Sequence, residues 1–98
     1  MVYEVVWSPS SRLDLKEIAS YIAESRPEAA IRFFKGVLRS VEHLSSFPEA
    51  GRCVPEFDDP HIREVVRRPC RIVYRIKTSD RIIEIARVWH AARGTPDL

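Results

Sequence analysis

Ninety-eight residues suffice for one small domain and exclude a second, and a chain of this size buries little more than half of its unfolded surface, so every apolar stripe must serve the core. Lys+Arg 16 against Asp+Glu 14 gives a net charge of +2, short of what a dedicated nucleic-acid coat carries. The charge is unevenly spread: nine basic and three acidic residues between Arg63 and Arg93 make that segment +6, and its preference for arginine favours planar, bidentate recognition.

Tyr3-Glu4-Val5-Val6-Trp7 is rich in β-branched and aromatic residues, with Tyr3, Val5 and Trp7 on one face, which predicts a short opening strand. Ser8 can cap a helix whose first position is Pro9, where the missing N–H costs nothing. Leu15, Ile18, Ala19 and Ile22 recur at the spacing of one buried helix face, with Arg12, Asp14, Lys16, Glu17 and Ser20 outside it. Ser25 and Glu28 have the spacing of a capping box around Pro27, so a second helix starts almost where the first stops, and the two form a hairpin. Ala30, Phe33, Phe34, Val37, Leu38, Val41 and Leu44 carry the helical period of the second helix over about four turns. The stretch from Phe47 through Gly51 to Pro60 breaks that period and predicts an ordered crossing loop.

Three strands are then expected, Ile62–Arg67, Arg71–Lys77 and Ile82–His90, with Thr78-Ser79-Asp80 turning between the last two. Pairing Lys77 with Ile82 buries the most isoleucine on one side: Ile72, Tyr74, Ile76, Ile83 and Ile85 share a face, Glu84 comes opposite Arg75, and His90 falls on the arginine side. The fold class is therefore α+β, a single domain over residues 1–98: an N-terminal strand, a helical hairpin and a three-stranded antiparallel meander, with the helices packed on one face of the sheet. Phe34, Leu38 and Ile18 are expected to pack on Ile72, Tyr74 and Ile76.

Glu56, Arg63, Arg71 and His90 make a candidate reaction site. Cleaving RNA needs a group to take the 2′-hydroxyl proton, a group to protonate the leaving oxygen, and cations on the developing charge; a glutamate or histidine serves the first two and arginines the third, without metal. The competing reading makes His90 a strand-end histidine and the arginines a solubilising face. Gly36, Gly51 and Gly94 do not cluster into a phosphate loop, and Ser45 and Ser46 lack an elbow motif. Cys53, His61, Cys70 and His90 have no zinc-ligand spacing, so both cysteines are expected to be ordinary buried thiols and no cofactor or metal is expected. Glu56, Asp58 and Asp59 read as a solvated loop turn. No apolar run is as long as a membrane span and no leader precedes Tyr3, so a cytoplasmic protein is expected.

Tyr3-x-Val5 with Trp7-Ser8-Pro9, Asp14-Leu15-x-x-Ile18, Tyr21-Ile22, Ala30, Phe47-Pro48-Glu49-x-Gly51-Arg52, Pro55-Glu56, Arg63-Glu64, Arg71-Ile72-x-Tyr74-Arg75-Ile76 and His90-x-x-Arg93 follow in an order that resembles the RelE/ParE superfamily of toxins from bacterial type II toxin–antitoxin modules. The resemblance runs from Tyr3 to Arg93. It implies an antiparallel sheet with a helical hairpin on one face, and a cognate antitoxin whose flexible segment covers the working surface. Two activities divide the superfamily: RelE-like members cut mRNA on the ribosome, and ParE-like members poison DNA gyrase without being hydrolytic. The long hairpin, the Pro-Glu-x-Gly-Arg turn and the closing His-x-x-Arg resemble the ParE branch, which would leave Arg52, Arg71, Arg75 and Arg93 to bind target or antitoxin. Glu56, Arg71 and His90 also fall where YoeB-like ribosome-dependent nucleases carry a glutamate, an arginine and a histidine. Ala91 stands where those enzymes have a tyrosine, and the lysine-rich set of RelE is missing. A gyrase poison is thus the first expectation, a ribosome-dependent endoribonuclease the alternative, and an inactive or differently targeted relative the third.

Overall fold

The computed structural model describes residues 2–98, in the order β1 (Glu4–Trp7), α1 (Pro9–Ser25), α2 (Pro27–Ser46), β2 (Arg52–Cys53), β3 (Ile62–Arg67), β4 (Cys70–Lys77), β5 (Ile82–His90) and a 3-10 turn over Ala91–Arg93. The strands form one sheet in the order β1-β5-β4-β3-β2, with the two helices against one face. The meander and β2 pair antiparallel, as expected, but β1 runs parallel to β5, so the sheet is mixed. Parallel neighbours need a long connection, and here the whole domain lies between them. The two-residue strand β2 was not expected in the crossing loop; its length leaves no alternation to read.

Ser8 caps α1 by accepting the Ser11 N–H at 3.0 Å, with Pro9 in the first turn. The expected Ser25 box does not form, because α1 continues through Ser25 and Arg26 becomes the cap of α2, non-helical at φ −143° and ψ 74° before Pro27 and without a side-chain cap bond. The buried face of α2 is Ala30, Phe33, Val37, Val41 and Leu44. Phe34 and Leu38, expected inside, are each 41% exposed. Seven apolar positions span more of the helix than one sheet can cover, and the stripe that wins lies one residue away from them. Phe33, Val37 and Leu44 share a core with Leu15, Ile72, Tyr74, Ile76, Ile83, Ile85 and Val88, while Ile18 packs at its margin.

Lys77 pairs with Ile82, and Arg75 pairs with Glu84, as the isoleucine pattern predicts. Between Val73 and Tyr74 the register shifts, because Val73 faces Arg87 and Tyr74 faces Ile85, leaving Ala86 as an extra residue in β5. That bulge inverts the alternation beyond it: Trp89 comes opposite Arg71, and His90 comes opposite Cys70 instead of joining the arginine row. Beyond Ile85 strand β1 has ended, and α1 satisfies the exposed edge of β5 in its place. The Ser8 hydroxyl donates to the Ala86 carbonyl at 2.9 Å, and Asp14 accepts the Val88 N–H at 3.0 Å. Asp14, expected outside, is therefore buried, and it also holds Arg87 through two bonds of 2.7 Å.

Cys70 is buried and Cys53 is exposed, which corrects the expectation of two buried thiols; the latter sits on the two-residue edge strand. Burial, aided by the charge of Asp14, pushes the Cys70 thiol up to about 11. Titration with a thiol reagent at pH 8 is expected to show one prompt equivalent from Cys53 and a second only on denaturation, since thiolate is the reacting form. Two prompt equivalents would contradict the burial of Cys70.

Candidate functional site: a chain of alternating charges

Strand alternation turns Glu64 to the face of the sheet away from the helices, opposite Arg52 on β2 and Val73 on β4. Its side chain is fully buried, which a carboxylate tolerates only when paired and hydrogen-bonded. Oε2 accepts from the Arg52 Nε at 2.6 Å and Oε1 accepts from the Arg71 Nε. The other end of Arg71 grips Glu56, Nη1 to Oε2 at 2.8 Å and Nη2 to Oε1 at 2.7 Å. Arg52, Glu64, Arg71 and Glu56 thus alternate in sign along one line, and their charges cancel. The Arg71 hydrogen bonds hold the Glu56 carboxyl below the usual carboxylate range, and Glu56 followed by Glu64 raises Arg71 in turn.

The turn that delivers Arg52 is fixed by Tyr74. Its hydroxyl donates to the Pro48 carbonyl at 2.7 Å and accepts the Gly51 N–H at 3.0 Å. A Cβ at position 51 would stand 2.5 Å from the Glu64 carbonyl oxygen and 2.6 Å from the Tyr74 hydroxyl, so glycine is required there by close approach. Arg63 ties the same loop by donating to the carbonyls of Pro60 at 2.9 Å and Gly51 at 3.0 Å.

The chain end closes over this face. Trp89 Nε1 donates to the Gly94 carbonyl at 3.1 Å, Arg71 Nη1 reaches the same oxygen at 3.4 Å, and Arg87 Nη1 donates to the Asp97 carbonyl at 2.9 Å. Two guanidiniums lie over the Trp89 ring, Arg93 at 3.8 Å and Arg87 at 4.8 Å from its centroid. Arg75 pairs with Glu84 at 3.0 Å.

A cavity of about 660 Å³ gathers Arg52, Glu56, Arg71 and His90, with Pro55, Arg68 and Cys70 among its other walls. Although the bulge moves His90 off the arginine row, its position at the strand end brings it to the same cavity. His90 Nδ1 accepts the Ala92 N–H at 3.1 Å, so the neutral ring carries its proton on Nε2. Arg63, Arg75 and Arg93 do not line this cavity; Arg63 lines a different one of about 730 Å³ with His43 and His61. Glu64 and Asp14 are the residues that sequence reasoning missed. Both stand in motifs that carry the family resemblance, Asp14-Leu15 and Arg63-Glu64, but nothing local marks either acid as buried.

The sequence model of the ParE toxin of the type II toxin-antitoxin system, parDE, matches residues 5–94. The chain belongs to the ParE toxin family. Within the RelE/ParE superfamily, this ParE chain has the fold of a chromosomal ParDE system from P. aeruginosa, with a TM-score of 0.73 at 22% identity, covering 91% of this chain and 96% of that one. The RelBE2 toxin–antitoxin complex of Mycobacterium tuberculosis superposes with a TM-score of 0.67, also at 22% identity, covering 92% and 99% of the two chains. No curated protein sequence matches it significantly. Among the described residues, no helix is long and apolar enough to cross a membrane.

Proposed function

We propose that this ParE-family toxin arrests growth by poisoning DNA gyrase, and that a cognate antitoxin neutralises it. The observation that carries this reading is the occupancy of Arg71. Its guanidinium is spent on Glu56 and Glu64, so it offers little to the charge that develops on a phosphate under attack. Glu56, held below the usual carboxylate range by the same contact, is a weak base. A protein that works by binding needs neither group free. Arg93 and the tail from Gly94 to Leu98 extend the contact surface, and the antitoxin covers the sheet face of Arg71 and Arg75 together with the apolar residues exposed on the hairpin, Phe34 and Leu38 among them.

One observation favours a second reading: Glu56, Arg71 and His90 line one cavity, as a metal-independent, ribosome-dependent endoribonuclease would need. His90→Ala separates the two. On the gyrase reading the variant still arrests growth and still inhibits supercoiling by purified gyrase. Removal of residues 94–98 with Arg93→Ala, once shown to fold, abolishes both effects. On the nuclease reading His90→Ala lowers ribosome-dependent mRNA cleavage by about 10² to 10⁴. Loss of toxicity in the His90 variant with cut messages in the parent would overturn the gyrase proposal.

A further inference from the structure

Sorting the arginines by what they touch separates two populations. Arg52, Arg63, Arg71, Arg75 and Arg87 each donate to a carboxylate or carbonyl within the domain, and Arg93 lies on Trp89. Where β3 ends beside α2, Arg32, Arg67 and Arg68 line a depression of about 490 Å³ with Phe33 and Val66. Among the described residues, none of these three has a carboxylate within the 4.0 Å of an ion pair.

Their gathering depends on a particular residue. The Arg67 guanidinium rests on the α2 backbone at Gly36, where a Cβ would stand 1.9 Å from Nη2. A side chain at position 36 would force the guanidinium to shift from this seat. Lys35 and Arg39 follow Arg32 at helical spacings i+3 and i+7, are exposed, and are likewise without an ion-pair partner among the described residues. The acids of α2, Glu28 and Glu42, stand toward the two ends of the helix. Like charges brought together without a counter-charge repel, and a guanidinium presents the fork of donors that fits phosphate oxygens. The patch also runs on into the His90 cavity, since Val66 and Arg68 line both depressions.

We propose that this α2–β3 edge docks the phosphodiester backbone of a nucleic acid through Arg32, Arg67 and Arg68. The inference goes beyond the choice of target and does not depend on it, because binding is measured directly and without gyrase or ribosomes.

The test uses the full chain freed of antitoxin and fluorescence anisotropy on two probes, a DNA duplex of about 20 base pairs and a single-stranded RNA of similar length, between about 50 and 200 mM salt. The variant Arg32→Gln/Arg67→Gln/Arg68→Gln is expected to bind at least about tenfold more weakly, with a salt slope shallower by roughly 0.9 per lost phosphate contact on duplex and roughly 0.7 on single strand. The control Arg26→Gln/Lys77→Gln/Arg81→Asn removes the same charge elsewhere and is expected to bind like the parent; asparagine suits position 81, where φ is 54°. The single changes Arg32→Gln and Arg68→Gln, both on exposed residues, keep the test open if the triple variant does not fold, and each is expected to reduce the slope by about one contact. The probe bound more tightly identifies DNA or RNA as the source of the phosphates. Absence of binding to both probes, equal losses in the patch and control variants, or a patch variant that loses only its antitoxin would overturn the proposal.

Discussion

Replacing Phe33 by alanine is expected to cost about 3–5 kcal/mol, whereas replacing its neighbour Phe34 should cost less than about 1 kcal/mol. Phe33 is 9% exposed and belongs to the core with Val37, Leu44, Ile72 and Tyr74. Phe34 is 41% exposed, so truncation leaves no enclosed void. A domain of this size has only about 5–15 kcal/mol of total stability, and the first change removes much of it. Urea unfolding of the two variants measures the difference as a shift in midpoint. The same pair probes the partner: Phe34→Asp is expected to keep the midpoint near that of the parent and still weaken capture by the antitoxin at least about tenfold. Equal midpoints for Phe33→Ala and Phe34→Ala would mean that α2 is rotated about its axis from the placement described.

The contrast between these neighbours shows how far the sequence could be read. Element order, the bounds of β3 and β5, and the Lys77–Ile82 register were legible, because turn residues and alternating isoleucines are local signals. The rotation of α2 was not, since its apolar residues fill more than one face and the choice depends on a sheet built later in the chain. Asp14 and Glu64 look like solvated acids locally; their partners are Arg87, 73 residues on, and Arg52 and Arg71, 12 residues before and 7 after. The bulge at Ala86 has no residue signature in a run of Ile, Glu, Ala and Arg, so the side of the sheet taken by His90 was misread. Glu56, Arg63, Arg71 and His90 were grouped by the chemistry that RNA cleavage needs, and three of them again by family resemblance; the structure brings Glu56, Arg71 and His90 to one cavity and leaves Arg63 outside it. The resemblance could not show that Arg71 is already bonded to two carboxylates.

That bonding makes Arg71→Ala the other change of large effect, with an expected loss of about 3–5 kcal/mol. Without Arg71 the fully buried Glu64 carboxylate keeps only Arg52, whose side chain is 63% exposed and free to move into water. A charge left half-paired in a dry place costs more than the intact pair contributed, so the penalty belongs to Glu64 as much as to the arginine removed. For a domain under 100 residues this corresponds to a drop in Tm of more than roughly 12 °C. Changing both partners, Glu64→Leu with Arg71→Leu, is expected to recover part of that drop, because Arg52 and Glu56 can then turn to solvent; the recovery, read in a double-mutant cycle, measures the coupling. His90 is exposed, and His90→Ala should move stability by no more than about 0.5 kcal/mol. An Arg71 variant that loses toxicity has therefore first lost its fold, and its inactivity carries no information about catalysis, whereas a His90 variant reports on chemistry alone. An Arg71→Ala protein that keeps its Tm and loses toxicity would show instead that the guanidinium acts on the target directly, and the alternating-charge chain would then be a resting state that the target opens.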